Sequence, residues 1–266
     1  MYIKNDQEIK LILEGGKLMG EILEKLAALA VPGINAFELD REAERMIKAA
    51  GGAAAFKGYQ SRPSEPSFPS TICASLNEEI VHGIASQDKV LKDGDIFSID
   101  IGMRYPRKNG YFTDTAITLA IGKADESIKD LLARTKKSLE IGIEACQVGN
   151  KISDIGRAIE SFITPFGYGI VRDLVGHGVG HAVHEEPRVP NFYDKSLDTW
   201  ILEPGVVIAI EPMITLGDYK IEVADDGWSI STRDKSLSAH FEHTIVITED
   251  GPVVATRRPE ELKIIN

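Results

Sequence analysis

The segment Asp95-Ile-Phe-Ser-Ile-Asp100 is a short apolar run that ends abruptly in an acid. The segment Val206-Val-Ile-Ala-Ile-Glu211 repeats this form in the second half of the chain. Runs this apolar and β-branched are typical of strands that are buried on both faces. A carboxylate at the end of such a strand has lost much of its water. Its charge therefore needs a metal ion, a salt bridge or an outlet to solvent.

An internal repeat relates the two halves of the chain. Aligning Gly33 with Gly149 superposes segments that each follow a long amphipathic helix and each precede strands. Apolar residues at helical spacing predict these two helices at residues 7–29 and 127–146. The repeat indicates that the halves are related by a pseudo-twofold axis.

The repeat also pairs four acids. Asp100 falls on Glu211, and Asp114 falls on Glu242. If a pseudo-twofold axis relates the halves, all four carboxylates converge near it. They would then repel one another unless cations neutralised them. The pattern therefore predicts a centre that holds two metal ions.

Length and composition limit the class of protein. The 266 residues contain no Gly-, Ser- or Pro-rich linker between the repeat halves. This predicts a single domain over residues 1–266, with halves of roughly 1–122 and 123–266. The 43% hydrophobic and 27% charged residues are those of a soluble globular protein. A net charge of −11, without a basic stripe, argues against nucleic acid as a partner.

The sequence offers no sign of export or membrane insertion. The first residues have no long apolar core, and no apolar run reaches membrane-spanning length. Cys73 and Cys146 are too few for a disulfide framework and indicate a reducing compartment. We therefore expect a cytoplasmic protein without a membrane partner. Nothing in the sequence requires a dimer, so we expect a monomer.

The segment 174–188 holds three of the six histidines. His177 and His181 are four residues apart, a spacing that would suit a zinc-binding helix. Glycine at positions 176, 178 and 180 disfavours a helix, at roughly 1 kcal/mol each relative to alanine. Alternating glycines instead favour a strand or turn whose backbone approaches a ligand closely. We predict His177 as a metal ligand and His184 as a free histidine of the site.

The other histidines carry less information by themselves. His82 closes a short apolar strand just before Gly83, which is a weak functional signal. His240 and His243 flank Glu242, and cross-strand packing is the preferred interpretation for both.

Four segments together carry a family resemblance that covers nearly the whole chain. They resemble methionine aminopeptidases of the short bacterial type, which are M24-like metallopeptidases with the pita-bread fold. The resemblance implies an α+β architecture, in which helices pack on a curved, mainly antiparallel sheet with a pseudo-twofold internal repeat. The segments are Cys73-Ala-Ser-Leu-Asn-Glu-Glu-Ile-Val-His-Gly83, Gly176-His-Gly-Val-Gly-His-Ala-Val-His-Glu-Glu-Pro187, Ile210-Glu-Pro-Met213 and Ser236-Leu-Ser-Ala-His-Phe-Glu-His-Thr244.

The resemblance implies five metal ligands that hold two divalent ions, of cobalt, manganese, iron or zinc. Asp114 and Glu242 match the two carboxylates that bridge both ions in the family. The set contains the four acids that the repeat pairs independently. The ligands are Asp100, Asp114, His177, Glu211 and Glu242.

The resemblance also implies a reaction. Such an enzyme removes the N-terminal methionine from nascent proteins and peptides and prefers a small second residue. A water molecule activated by the metal ions would attack the first peptide bond. Glu211 would shuttle the proton, His184 would donate to the developing oxyanion, and His82 would steady the scissile amide. The implied partners are peptide and nascent-chain N-termini.

A narrow apolar pocket would accept the thioether side chain of methionine. Cys73, Phe68 and Trp228 match its positions, with His82 on the wall. Phe68 could instead pack the proline-containing loop 61–70, and Trp228 could be an ordinary core residue.

The chain departs from the family pattern near this pocket. Glu65 lies in a segment where the family commonly has tyrosines, and Val183 stands where it often has phenylalanine. The loop between Asp100 and Asp114 is slightly longer than usual. These differences bear on the shape of the pocket and not on the metal chemistry.

Two other interpretations remain open. Proline-specific peptidases of the same fold use the same ligand types, but they usually carry an additional N-terminal domain. The segments 73–83 and 236–244 fit the methionine enzymes better. A non-catalytic relative would lose ligands and gain basic segments, whereas here all five ligand positions are filled and the chain is acidic.

Overall fold

A computed structural model describes residues 2–60 and 66–262 of the chain. Residues 61–65, with Glu65 among them, lie outside the described residues, so for them the proline-containing loop 61–70, expected as a surface loop or an extended connection, stays a prediction. The helices are α1 (Asp6–Leu29), α2 (Ala36–Ala49), α3 (Glu126–Glu144), α4 (Ile152–Ile163) and α5 (Pro259–Leu262), with 3₁₀ turns at Thr164–Phe166 and Lys195–Leu197.

Most strands are short, and two of them form a long hairpin. The strands are β1 (Ala53–Ala54), β2 (Ile72–Leu76), β3 (Glu79–Val81), β4 (Ile96–Tyr105), β5 (Tyr111–Ala120), β6 (Gly169–Ile170), β7 (Gly176–Gly178), β8 (Glu185–Val189), β9 (Val207–Ile210), β10 (Met213–Thr215), β11 (Ile221–Val223), β12 (Ile230–Thr232), β13 (Ser238–His240), β14 (Glu242–Thr248) and β15 (Gly251–Val254).

One nine-stranded sheet connects both halves of the chain. Its strands run in the order β1-β4-β5-β14-β9-β7-β8, with β2 paired to β4 and β15 paired to β14. Every pairing described in this sheet is antiparallel. Two three-stranded sheets, β13-β10-β6 and β11-β12-β3, complete the strand structure. The predicted α+β class with a mainly antiparallel sheet is confirmed.

The helices begin where their sequences provide caps. Asn5 accepts a hydrogen bond from the backbone N–H of Glu8 at 3.1 Å, and the Glu8 carboxylate accepts one from the Asn5 N–H at 2.8 Å. Asn35 and Glu38 form the same reciprocal cap at the start of α2. The helices predicted at 7–29 and 127–146 are α1 and α3, which confirms both.

Equivalent hydrogen bonds support the internal repeat. The Gly33 N–H donates to the carbonyl of Leu91 at 2.8 Å, and the Gly149 N–H donates to that of Leu202 at 2.9 Å. Both glycines have positive φ, +98° and +87°, which a residue with a side chain adopts only with strain. The sheet order places β4 and β9 on either side of the central pair β5 and β14, as the alignment of the acids requires.

The main core lies between the sheet and the helices. Ile99 and Ile101 of β4 are fully buried in the same cluster as Leu23 of α1 and Leu39 of α2. Because side chains alternate along a strand, Asp100 projects to the opposite face of the sheet. The helices therefore cover one face, and the predicted acids lie on the other. Among residues 2–60 and 66–262, no helix combines the length and apolar character that a membrane span requires.

Candidate metal centre and active site

Strand register brings three of the acids together. Asp100 pairs with Ala116 of β5, and Ala116 pairs in turn with Glu242 of β14. Directly paired residues project to the same face of a sheet, and so do residues two positions apart on one strand. Asp114 is two positions from Ala116. All three carboxylates consequently point to one place on the face that the helices leave free.

The same rule adds His177 and Glu211. His177 pairs with Ala209 of β9, and Ala209 also pairs with Thr244, two positions from Glu242. Nε2 of His177 lies 3.6 Å from Oε1 of Glu211, which directly follows β9. The structure therefore brings together all five residues that the sequence predicts as ligands.

Small residues leave room between the ligands. Ala116 and Ala209 occupy the sheet positions between the acids and are fully buried. Oxygen atoms of Asp114 and Glu242 and a ring nitrogen of His177 all lie within 4.8 Å of one another. Nε2 of His177 is 3.9 Å from Oδ2 of Asp114. These separations match a site in which several side chains bind one cation.

His177 presents a free nitrogen to this cluster. Its Nδ1 lies 2.9 Å from the carbonyl oxygen of Gly178. A carbonyl oxygen can only accept a hydrogen bond, so Nδ1 carries a proton, and in the neutral ring the lone pair is on Nε2. A backbone hydrogen bond of this kind fixes both the tautomer and the orientation of a histidine that binds metal.

The carboxylates fit divalent cations. Oδ1 of Asp100 and Oδ1 of Asp114 are buried and have no hydrogen-bond partner among the described residues. A buried carboxylate oxygen without a partner is strongly disfavoured unless a cation compensates it. Four oxygen-donating side chains with a single imidazole suit manganese, iron, cobalt or zinc.

Burial dominates the acid–base properties of the cluster. It raises the pKa of Asp100 from 3.8 to about 6. It also raises the pKa of Asp114 and of Glu242 well above their ordinary values, and the neighbouring carboxylates add to both shifts. Burial pushes the pKa of Glu211 upward too, but its electrostatic interactions with His240, His177 and His184 outweigh burial and lower the pKa. Glu211 is thus the acid of the cluster that ionises most readily.

We expect metal binding to weaken as the pH falls. Asp100, with its pKa of about 6, must release a proton before it can bind a cation, and Asp114 and Glu242 must do the same. Displacing even one proton makes the affinity fall about tenfold between pH 6 and pH 5. Isothermal titration of the metal-free protein with Mn²⁺ across that range measures this slope.

The same titration contains its own control. Repeating it at pH 6.5 in two buffers of different ionisation enthalpy should reveal protons released on binding. Asp100→Asn should release fewer protons. An affinity that does not change between pH 5 and pH 7 would show that these carboxylates are already ionised in the metal-free protein.

His82 and His184 both lie beside the metal centre in one cavity of about 510 Å³. Burial lowers the pKa of each to about 4, so both rings are neutral near pH 7. His82 follows β3 with a φ of +58°, in the left-handed region that histidine adopts more readily than most residues. The ring centroid of His184 is 4.5 Å from that of His177, and its Nδ1 lies 2.9 Å from the hydroxyl of Tyr59.

Apolar side chains form one side of the cavity. Phe68, Cys73 and Val183 are buried together in one cluster, and the ring of Trp228 packs against Phe68 with centroids 5.2 Å apart. The ring centroids of His82 and Trp228 are 6.2 Å apart. The residues that the sequence predicts for an apolar pocket therefore line one wall of the same cavity.

Sequence reasoning missed three residues of the site. Phe56 and Tyr59 also line the cavity. His240 pairs across strands with Met213, as the packing interpretation predicts, but its Nε2 also lies 3.4 Å from Oε2 of Glu211. His240 stands two positions from Glu242, which is a signal that could have placed it near the centre. Tyr59 lies far from His184 in the sequence, and no local pattern links them.

This fold and this set of buried acids define a class of protein. The chain belongs to metallopeptidase family M24, which it matches over residues 10–249. Within that class it is similar to methionine aminopeptidases. It is 42% identical to the one from Clostridium acetobutylicum, over 96% of this chain and 98% of that protein. It is 43% identical to the one from Borreliella burgdorferi, over 96% of this chain and 97% of that protein.

Solved structures agree with this grouping. A methionine aminopeptidase from Thermotoga maritima superposes with a TM-score of 0.90 at 36% identity, covering 97% of this chain and all of that one. A prolidase from Pyrococcus horikoshii superposes with a TM-score of 0.75 at 24% identity, and only 63% of its chain is covered. That second likeness concerns the fold alone. The pita-bread fold is confirmed, and the proline-specific alternative is not favoured.

Proposed function

We propose that the protein is a metal-dependent aminopeptidase that removes the N-terminal methionine from nascent proteins and peptides and favours a small second residue. The observation that carries this proposal is the convergence of four carboxylates and one imidazole beside a cavity with an apolar wall; three of the carboxylates are buried, and that of Glu211 is only 13% exposed. Similarity to methionine aminopeptidases over nearly the whole chain supports the choice of substrate.

We infer that the centre holds two divalent ions. Asp114 and Glu242 would contact both ions, Asp100 would complete one position, and His177 with Glu211 would complete the other. Two such ions supply Lewis acidity and a water nucleophile of lowered pKa. The free N-terminal amine of a substrate would bind beside the carboxylates, which restricts cleavage to the first peptide bond.

The side chains around the centre have separate tasks. Glu211 is ionised near neutral pH because its pKa is held low, so it can accept a proton from water and pass it to the leaving amine. His184 is neutral, and the Tyr59 hydroxyl can donate to its Nδ1. Nε2 of His184 then carries the proton and can donate to the developing oxyanion. His82 is also neutral and would steady the scissile amide.

The apolar wall would bind the methionine side chain. Phe68, Cys73 and Trp228 offer a surface that suits a flexible thioether. We also propose that residues 1–266 act as a single catalytic domain and as a monomer. Cys73 and Cys146 are free thiols, which fits action in a reducing cytoplasm.

Peptide hydrolysis with defined metals tests this function. Purified protein supplied in turn with Mn²⁺, Co²⁺, Fe²⁺ or Zn²⁺ should release methionine from a Met-Ala-Ser peptide. It should not act on the N-acetylated form of that peptide, and it should act poorly on an Ala-Pro dipeptide. A protein that holds no divalent ion and is inert on Met-Ala-Ser with every metal would overturn the proposal. Preferential cleavage of the Ala-Pro dipeptide would assign it to the proline-specific group.

A further inference from the structure

A buried ion pair lies beside the loop that carries His184. Nζ of Lys4 is 2.7 Å from Oε2 of Glu185, and the two side chains are only 1% and 3% exposed. A buried ion pair is favourable only when additional hydrogen bonds satisfy its charges. Glu185 has them, because its Oε1 accepts from the backbone N–H groups of His181 at 2.5 Å and Ala182 at 2.8 Å.

This carboxylate binds two backbone N–H groups of the loop that lie outside the strand ladder. The register of β7 and β8 shifts at His177 and Gly178, and residues 179–184 between the two strands have no regular structure. Gly180 in this loop has a φ of +135°. Backbone groups outside a ladder need other partners. One carboxylate oxygen of Glu185 accepts from the N–H groups of both His181 and Ala182. These two hydrogen bonds close residues 181–185 into a fixed turn.

Lys4 is held tightly where it meets Glu185. Its backbone N–H donates to the carbonyl of Gly205 at 2.8 Å. A Cβ atom at Gly180 would lie 2.7 Å from Cε of Lys4, and one at Gly205 would lie 2.7 Å from its carbonyl oxygen. The two glycines thus leave space that Lys4 fills, and the lysine has little freedom to turn away from Glu185.

A second contact ties the same loop to helix α1. The Glu8 carboxylate contacts Nε2 of His181 at 2.8 Å and accepts a hydrogen bond from the hydroxyl of Tyr111 at 3.2 Å. The loop is therefore held from the first residues of the chain at two points. The buried contact is the closer of the two to His184 along the sequence, because Glu185 directly follows His184.

We propose that Glu185, neutralised by Lys4, is a positioning residue that holds His184 in place for catalysis. The proposal rests on the proposed function and assigns Glu185 no contact with substrate. His184 immediately precedes Glu185, and its side chain is otherwise steadied by Tyr59 and by packing against His177. Fixing the backbone at residues 181 and 182 limits the directions from which the His184 ring can enter the cavity.

Two charge-balanced double variants test the role of the acceptor. Both variants replace Lys4 by Met and so remove the ion pair; one carries Glu185→Gln and the other Glu185→Met. Gln and Met have similar size, but only Gln keeps an oxygen that can accept from the N–H groups of His181 and Ala182. We expect the Gln variant to retain kcat within about threefold. The Met variant should lose about tenfold or more in kcat, since small misplacement of a catalytic group has effects of this order. In both double variants, KM and metal content should stay near those of the unmodified protein. The exposed control Lys10→Met should match the unmodified protein in kcat, KM and metal content.

A cycle with His184 separates positioning from a structural role. Adding Lys4→Met/Glu185→Met to His184→Ala should cause little further loss of kcat, because the effect acts through His184. Equal kcat for the two double variants, or losses that multiply in the His184→Ala background, would overturn the proposal. If the Met variant does not fold, Glu185→Asp replaces it, since it keeps the charge but shortens the reach, and the same loss is expected. An unmodified protein inert on Met-Ala-Ser would count against the proposed function instead.

Discussion

Asp114→Asn is expected to abolish hydrolysis, with kcat/KM falling more than about 100-fold. Asp114 lies in the middle of the cluster, with oxygen atoms near both His177 and Glu242. An amide of the same shape removes one negative charge from both proposed ion positions at once. Residues that merely orient a metal ligand cost about 10- to 100-fold in affinity or activity when removed. A carboxylate that itself contacts the ions should exceed that range.

The same variant should fold normally. Asp114 is almost fully buried, and burial together with the Asp100 and Glu211 charges raises its pKa well above the ordinary value. The neutral amide carries no charge for the neighbouring carboxylates to repel, so the Tm without metal should not fall. Loss of activity would then reflect the centre and not the stability of the fold.

Metal analysis completes this experiment. Asp114→Asn should bind less divalent metal per chain by elemental analysis, whereas the exposed control Asp225→Asn should match the unmodified protein in metal content and turnover. Substantial turnover by Asp114→Asn with normal metal content would exclude a role in contacting both ions.

The four acids could be predicted because strand geometry is regular. Side chains alternate along a strand, so an acid that ends an apolar run must project to one face of the sheet. The repeat then indicated that Asp100 and Glu211 occupy equivalent strands, and the sheet order confirms it. The glycines around His177 correctly excluded a helix, because their destabilising effect there is local and additive.

The rest of the site depends on contacts between distant parts of the chain. Tyr59 meets His184, and Lys4 meets Glu185, across separations of 125 and 181 residues. Neither contact leaves a periodic signal, since Tyr59, His184 and Lys4 lie outside helices and strands and Glu185 is only the first residue of β8. His240 was assigned to cross-strand packing because it flanks Glu242 in a stretch with strand character. Its approach to Glu211 depends on how the small β13 sheet lies against the large one.

His184→Ala is expected to lower kcat by about 100- to 1,000-fold while leaving metal content unchanged. The His184 ring lies beside His177 but makes its hydrogen bond to Tyr59. Its pKa of about 4 keeps it neutral at pH 7, so it acts as a donor and not as a charge. Removing one preorganised donor to a developing oxyanion has an effect of this size, equivalent to about 3–4 kcal/mol.

A donor role can be distinguished from metal binding by two further measurements. His184→Asn keeps an N–H group in the same segment, so it should recover part of the rate that His184→Ala loses. Tyr59→Phe removes the hydroxyl beside Nδ1 and should lower kcat by a smaller factor. If His184→Ala instead loses metal, His184 is itself a ligand, and the oxyanion donor must be sought among the other neutral groups of the cavity. His82 is the first of these, because burial also holds its pKa at about 4.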